Sequence, residues 1–322
     1  MASLATLTDQ PTPGVASIAE DVPPLGQTAD MTVATANSVD TTSVDANTNG
    51  GLIVITDGAP TVRHLSPSSA STFRQCPQRW KYRYIERLPD PAGIPALVGT
   101  FVHRILEELM VADPSERTLE LAKSHARDLW PEVNDDPDFQ ALELDDEEQR
   151  GVRWKSWRLV EAYFAMEDPT EVVVAEREQR LEVDLAGVPF VGVVDRVDHS
   201  DDGLLVTDYK TGKAPASKYV DGRLDQVWLY AAALKEIGQS VDRVRLMYIG
   251  TESIERSLDP EAVVAAVDGH RSTWDSIGSA MERDNFPTQT GPLCAWCPYV
   301  GQCAAGKVEV ERRYGPPAEP AG

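Results

Sequence analysis

The chain has no lysine or arginine before Arg63, no apolar run approaching the roughly 18 residues of a membrane-spanning helix, and only four cysteines in 322 residues. The first absence leaves residues 1–62 with seven acids and no base, in a stretch rich in Ala, Thr, Ser, Asp and Pro that follows neither a helical nor a strand period. Such a segment buries too little apolar surface to offset chain entropy, so a disordered acidic tail is expected over 1–62, with Leu52-Ile53-Val54-Ile55 as its one strand-like run. The second absence excludes a helical membrane protein and, with no basic-then-apolar leader, points to the cytoplasm. The third excludes a disulfide scaffold. No Gly-x-x-x-x-Gly-Lys-Ser/Thr run is present, which excludes a self-contained nucleotide-driven helicase. Finally, a formal net charge of -22 excludes a protein that holds nucleic acid by overall positive charge, so any such site must be a local basic patch.

What remains is 42% hydrophobic, enough for a sizeable core. Order is expected from residue 63 to 306, followed by a flexible C-terminal tail over 307–322. Ser66 is placed to cap a helix with Pro67 at its first position. Ala70, Phe73, Pro77, Trp80, Tyr84 and Leu88 then recur at helical spacing among Arg74, Arg79, Lys81, Arg83 and Arg87, the most basic stretch of the chain. A solvated amphipathic face is the ordinary reading. A nucleic-acid-facing helix with Trp80 and Tyr82 as stacking platforms is the sharper one. Pro77 predicts a break beside Cys76.

A second helix is expected from Gly99-Thr100 through Met110, with His103 beside its apolar stripe, and further helices carry Trp130, Trp154 and Trp157 around an acidic loop from Asp135 to Glu148. From Glu171 the period becomes strand-like: Val172–Val174, Leu181–Leu185, Phe190–Val197 and Leu204–Lys210, with turns at Ala186-Gly187 and Asp202-Gly203. A helix over Gln226–Ile237, a strand over Arg243–Gly250 and a long helix over Asp259–Arg283 complete an α/β domain with a mixed central sheet flanked by helices.

The chemistry concentrates on two of those strands. Alternation puts Asp208 and Lys210 on one face and Tyr209 on the other, next to a strand bearing Asp195. Carboxylates of this kind suit Mg²⁺ or Mn²⁺, hard ions that lower the pKa of bound water and neutralise phosphate charge, while an adjacent lysine orients water or steadies the transition state. Taken alone, Asp-x-Lys at a strand end is more often a surface ion pair, and a single His such as His103 more often a packed residue.

The ordered set changes that balance. Gly99-x-x-x-His103, Gly-Val-Val-Asp195-Arg-Val-Asp, Asp208-Tyr-Lys210-Thr-Gly-Lys and Gln226-x-x-x-Tyr230 together resemble the RecB-type branch of the PD-(D/E)XK nuclease superfamily, whose core is restriction-endonuclease-like. The resemblance spans about Ser66 to Cys303. It implies that His103, Asp195 and Asp208 hold a metal with the backbone carbonyl of Tyr209, that Lys210 is the catalytic lysine, and that Gln226 and Tyr230 lie beside the nucleic acid. It implies a DNA exonuclease, acting on single-stranded or open-ended DNA with unwinding left to a partner helicase. A catalytically quiet DNA-end-binding adaptor for a helicase or integrase is the alternative. Glu176 and Glu178 on the preceding strand are both placed to assist, and nothing in the sequence selects between them.

Cys294-x-x-Cys297-x5-Cys303 with the distant Cys76 resembles the split four-cysteine pattern that binds a [4Fe-4S] cluster in CRISPR-associated exonucleases and in AddB-type nuclease domains. Such a cluster would join the N- and C-terminal segments. A structural Zn²⁺ and a redox role are the alternatives.

Overall fold

The computed structural model describes residues 52–56 and 59–315. The expected tail over 1–51 and the last residues of the C-terminal tail, 316–322, lie outside that range. The tail ends earlier than expected: β1 (Ile53–Thr56) and β2 (Ala59–Val62) pair as an antiparallel hairpin, with Leu52 and Ile53 buried. Two apolar side chains with a core to enter outweigh the polar composition around them.

Helix α1 (Pro67–Gln75) starts as expected, the Ser66 hydroxyl accepting from the Ser69 N–H at 3.2 Å. It stops at Cys76, whose extended backbone precedes α2 (Pro77–Trp80) and a π turn over Lys81–Ile85. Trp80 is fully buried, donates to Ser69 and stacks on Phe286 at 6.1 Å, so it is a core residue and not a stacking platform. Lys81 pairs with Asp284 and Arg83 with Asp90, so two of the basic residues there are already neutralised.

Helix α3 (Ile94–Val111) opens five residues before Gly99, with Pro95 in its first turn. Then come α4 (Leu119–Asp135), α5 (Pro137–Gln140) and α6 (Asp146–Met166). The last acids of the expected loop form a helix start: Asp145 accepts from the N–H groups of Glu147 and Glu148, and Glu148 returns a bond to the Asp145 N–H.

Five strands make one mixed sheet in chain order, β3 (Val174–Leu185), β4 (Val188–His199), β5 (Leu204–Lys210), β6 (Val241–Tyr248) and β7 (Glu252–Ser257). The two short runs expected before Ala186 are a single strand, β3, turned into β4 by Ala186 and Gly187, both at positive φ (54° and 85°) as a two-residue hairpin turn requires. Helix α7 (Asp221–Glu236) carries the chain from β5 to the parallel β6. Strand β7 was not legible: of Glu252–Ser257 only Ile254 is buried, as suits a charged edge strand. Helices α8 (Pro260–Glu282) and α9 (Ala304–Tyr314) follow, and α9 takes up the first half of the expected flexible C-terminal tail.

The sheet has a core on each face. Val194, Val206, Val244 and Leu246 pack with Val227, Leu229 and Ala233 of α7. Tyr209 and Met247 pack with α3, α4 and α6 through Phe101, Val102, Leu106, Leu129 and Val160. No helix among the described residues is long and apolar enough to cross a membrane.

Candidate active site

The β4–β5 ladder stops at Arg196 opposite Thr207. One residue further on, the Asp195 carboxylate takes the place of the missing ladder acceptor: its Oδ2 accepts from the Tyr209 N–H at 2.6 Å. The strands therefore part at the point where the charged side chains sit.

Asp208 and Lys210 share a face as alternation requires, and both meet α7. Lys210 Nζ lies 2.6 Å from Asp208 Oδ2 and donates to Gln226 Oε1 at 3.0 Å, while Gln226 Nε2 donates to Asp208 Oδ1 at 2.9 Å and to the Tyr230 hydroxyl at 2.8 Å. Gln226 thus orients both catalytic candidates. Tyr230 is 4% exposed, so it supports Gln226 instead of presenting a surface to nucleic acid. Its ring lies against Gly192, where a Cβ would come within 2.7 Å of it; glycine there lets α7 approach β4. Tyr209 turns its ring to the opposite face, edge-on to His103 at 5.8 Å and hydrogen-bonded to the buried Arg196. Arg196 in turn pairs with Glu167 and Asp198, a buried network directly behind the site.

His103 on α3 brings Nδ1 to 3.5 Å from Asp195 Oδ1. Glu178 on β3, its φ of 42° set in the left-handed region, completes a group with His103 and Asp195 whose ligand atoms all lie within 4.8 Å of one another. The structure thus separates the two glutamates: Glu178 faces the centre and Glu176 is exposed. No residue type or spacing in β3 marks Glu178; its strained backbone aims it. Asp208, expected in the same ligand set, lies outside that close group. Its Oδ2 instead lies 2.6 Å from the Lys210 ammonium, while its Oδ1 accepts from Gln226. His103, Glu178, Asp195 and Asp208 are the oxygen and imidazole donors a divalent ion takes, and they fit one.

The titration of these groups reflects their crowding. Burial pushes Glu178 up to about 7, reinforced by Asp195 and Glu107. Burial also pushes Asp208 up to about 6, with the Asp195 charge adding to it and Lys210 opposing. Burial works to lower His103 and Lys210, but neighbouring carboxylates outweigh it and raise both: Asp195 for His103, Asp208 for Lys210. The centre is a crowded cluster of carboxylates whose proton affinities are raised by burial and by one another.

A cavity of about 540 Å³ opens over it, lined by Thr100, His103, Lys210, Lys213, Arg223 and Gln226 among others. Lys213 and Arg223 put positive charge at its mouth, the local basic patch that an acidic chain needs to receive a phosphodiester.

The four cysteines, half-buried, line one cavity of about 200 Å³ between the α1–α2 junction and the segment leading into α9. Cys294 accepts from the Gly291 N–H at 3.4 Å and Cys303 from the Gly306 N–H at 3.3 Å. Burial raises Cys297, with Cys76 and Cys294 adding to it. Among the described residues no three of the sulfurs lie within 4.8 Å of one another. They are not gathered into a coordination cage.

A family model described as the PD-(D/E)XK nuclease superfamily matches residues 64–304. No curated protein matches the chain. Among solved structures, it is similar to a protein of Eubacterium rectale provisionally called an exonuclease, at 10% identity and a TM-score of 0.47, over 80% of this chain and 91% of that one. It is also similar to the protein SSO0001, at 12% identity and a TM-score of 0.33, over 76% of this chain and 88% of the other.

Proposed function

Because the chain belongs to the PD-(D/E)XK nuclease superfamily, we propose that it is a divalent-metal-dependent deoxyribonuclease of the RecB-type branch, an exonuclease on single-stranded or open-ended DNA in repair, recombination or processing. The observation that carries this reading is the meeting of His103, Asp195, Asp208, Lys210 and Gln226, drawn from α3, β4, β5 and α7, beneath one cavity with a basic mouth. Mg²⁺ or Mn²⁺ held by His103, Glu178, Asp195 and Asp208 would supply charge neutralisation and a more acidic water. Lys210, fixed by Asp208 and Gln226, points its ammonium into the cavity, where it can hold the scissile phosphate or orient the attacking water. Tyr209 keeps Asp195 in place through its N–H, and Arg196 anchors Tyr209 from behind.

The test is digestion of end-labelled single-stranded DNA in Mg²⁺ or Mn²⁺. Lys210→Ala and Asp208→Ala are each expected to lower cleavage by about 10²–10³-fold with an unchanged circular-dichroism spectrum; undiminished cleavage in both removes the site.

For the cysteines we propose the [4Fe-4S] cluster over zinc, supported by the spacing Cys294-x-x-Cys297-x5-Cys303 with Cys76 and by the four thiols lining one cavity. Anaerobically purified protein that is brown and contains iron supports the cluster; colourless, zinc-rich protein rejects it.

A further inference from the structure

Away from the catalytic cavity, α3, α4 and α6 enclose a groove of about 320 Å³ that the chemistry above does not use. Its lining contains Lys123, Arg127 and Arg153, the aromatic rings of Phe101, Trp130 and Trp157, and no carboxylate. In a chain of net charge -22 a cation lining without a carboxylate is a feature the groove shares with the catalytic cavity. On the same helices Arg104 pairs with Glu132 and Arg158 with Glu161, while Lys123, Arg127 and Arg153, like Arg150 and Lys155, have no ion-pair partner among the described residues. The Arg153 guanidinium instead lies 4.9 Å from the Trp130 ring and the Lys123 ammonium 6.0 Å from Trp157. Trp130 is braced edge-on by Phe101 at 5.6 Å, so the floor is rigid.

Unpaired cations above indole faces are what a single-stranded nucleic acid needs: phosphates meet the charges and bases stack on the rings without regard to sequence. We propose that this groove is a second binding subsite for single-stranded nucleic acid. Phe101 lies two residues from His103, which at 100° per residue puts them on nearly opposite flanks of α3. The two sites are therefore one helix width apart, about 10 Å, and a single strand of a few nucleotides' excess length reaches both. The groove holds the strand while its end is in the catalytic cavity. This inference rests on the nuclease reading for its purpose, but not for its binding chemistry.

The experiment measures binding of a fluorescein-labelled 20-mer oligothymidylate to the full chain in EDTA, where cleavage is suppressed, at several salt concentrations. The triple variant Lys123→Ala, Arg127→Ala, Arg153→Ala is expected to bind at least tenfold more weakly, with a log–log salt slope smaller by about 2. Trp157→Leu should weaken binding about tenfold at an unchanged slope and remove part of the tryptophan quenching seen on the wild type. Thermal melts of both variants establish that they fold. Wild-type binding by both variants overturns the proposal. So does tighter binding by the triple variant. If the wild type cleaves DNA while both variants bind normally, the groove falls and the nuclease reading stands. If no substrate is cleaved but binding depends on Trp157 and the three cations, the nuclease reading falls and the groove stands.

Discussion

The carboxylate centre and the cysteine cavity both gather donors from distant parts of the chain, yet they are held in different ways. At the centre every donor but Glu178 is tied to a neighbour: Asp195 to the Tyr209 N–H, Asp208 and Lys210 to Gln226, His103 to Asp195. These donors are held by the protein's own hydrogen bonds, and the folded protein bears the cost of bringing like charges together. Among the described residues the cysteine sulfurs accept from backbone N–H groups, those of Gly291, Gly306 and Tyr299, and are not gathered into one close group. A site that is finished before its ligand arrives gains preorganisation; one that is finished by its ligand turns binding energy into fold stability.

The largest effect is expected where the occupant completes the site. In protein purified anaerobically, Cys76→Ser and Cys297→Ser should each lose the bound group and lower Tm by on the order of 10 °C. In protein stripped of that group the same substitutions should change Tm little. Equal Tm loss in stripped protein would mean that the thiols themselves hold the fold, and the contrast with the centre would disappear.

The centre's preassembly depends on the network behind it. Arg196 is 1% exposed and bonded to Glu167, Asp198 and Tyr209. Arg196→Met leaves Glu167 and Asp198 with Arg245 as their remaining cation, at 2.8 and 3.5 Å, so the cost is that of the lost charged hydrogen bonds, about 1.5–3 kcal/mol, readable as a lower midpoint in urea. Loss under 1 kcal/mol would show that the carboxylates find other partners and that the centre is less rigid than its hydrogen bonds suggest.

Glu178 sharpens the comparison further, because its crowding leaves a pH signature. Its native pKa of about 7 lies above the ordinary value of 4.5, so between those values the native state keeps a proton the unfolded state has lost. Metal-free protein should therefore lose stability as pH rises from 4.5 to 7. Excess Mg²⁺ should reverse that trend, with metal affinity by calorimetry rising from pH 6 to 8 as protons are released. Glu178→Gln should flatten the metal-free profile and lower cleavage by about 10²-fold, against less than twofold for the exposed Glu176→Gln. Equal effects from both substitutions would remove Glu178 from the site.

These contrasts also mark what the chain discloses before it folds. The hairpin, the helix bearing Gln226 and the break at Cys76 follow from local rules: alternation over Asp208–Lys210, paired positive-φ residues at Ala186-Gly187, Pro77 after Cys76. Glu178 does not, because its position comes from a strained backbone inside a long strand, and strain has no composition. Strand β7 escaped because an edge strand needs only one buried residue. Trp80 and Tyr230 were read as surfaces for nucleic acid, yet tertiary contacts with Phe286 and Gly192 bury both. The tail boundary shifted because Leu52 and Ile53 find a core that their neighbours do not announce.

Tyr230→Phe is the gentlest probe of preassembly. Removing the hydroxyl leaves the ring against Gly192 and deletes only the partner at 2.8 Å from Gln226 Nε2. That amide still donates to Asp208 and its oxygen still accepts from Lys210, so Gln226 keeps two of three anchors and gains only a little freedom about its last torsion. A neutral hydrogen bond of this kind contributes about 0.5–1.5 kcal/mol, so kcat should fall about two- to tenfold with KM and Tm nearly unchanged. A change in KM alone would place Tyr230 against the substrate after all, and a change in Tm alone would reduce it to packing. Only a fall in kcat by itself separates a residue that orients Gln226, and through it Lys210, from either of those.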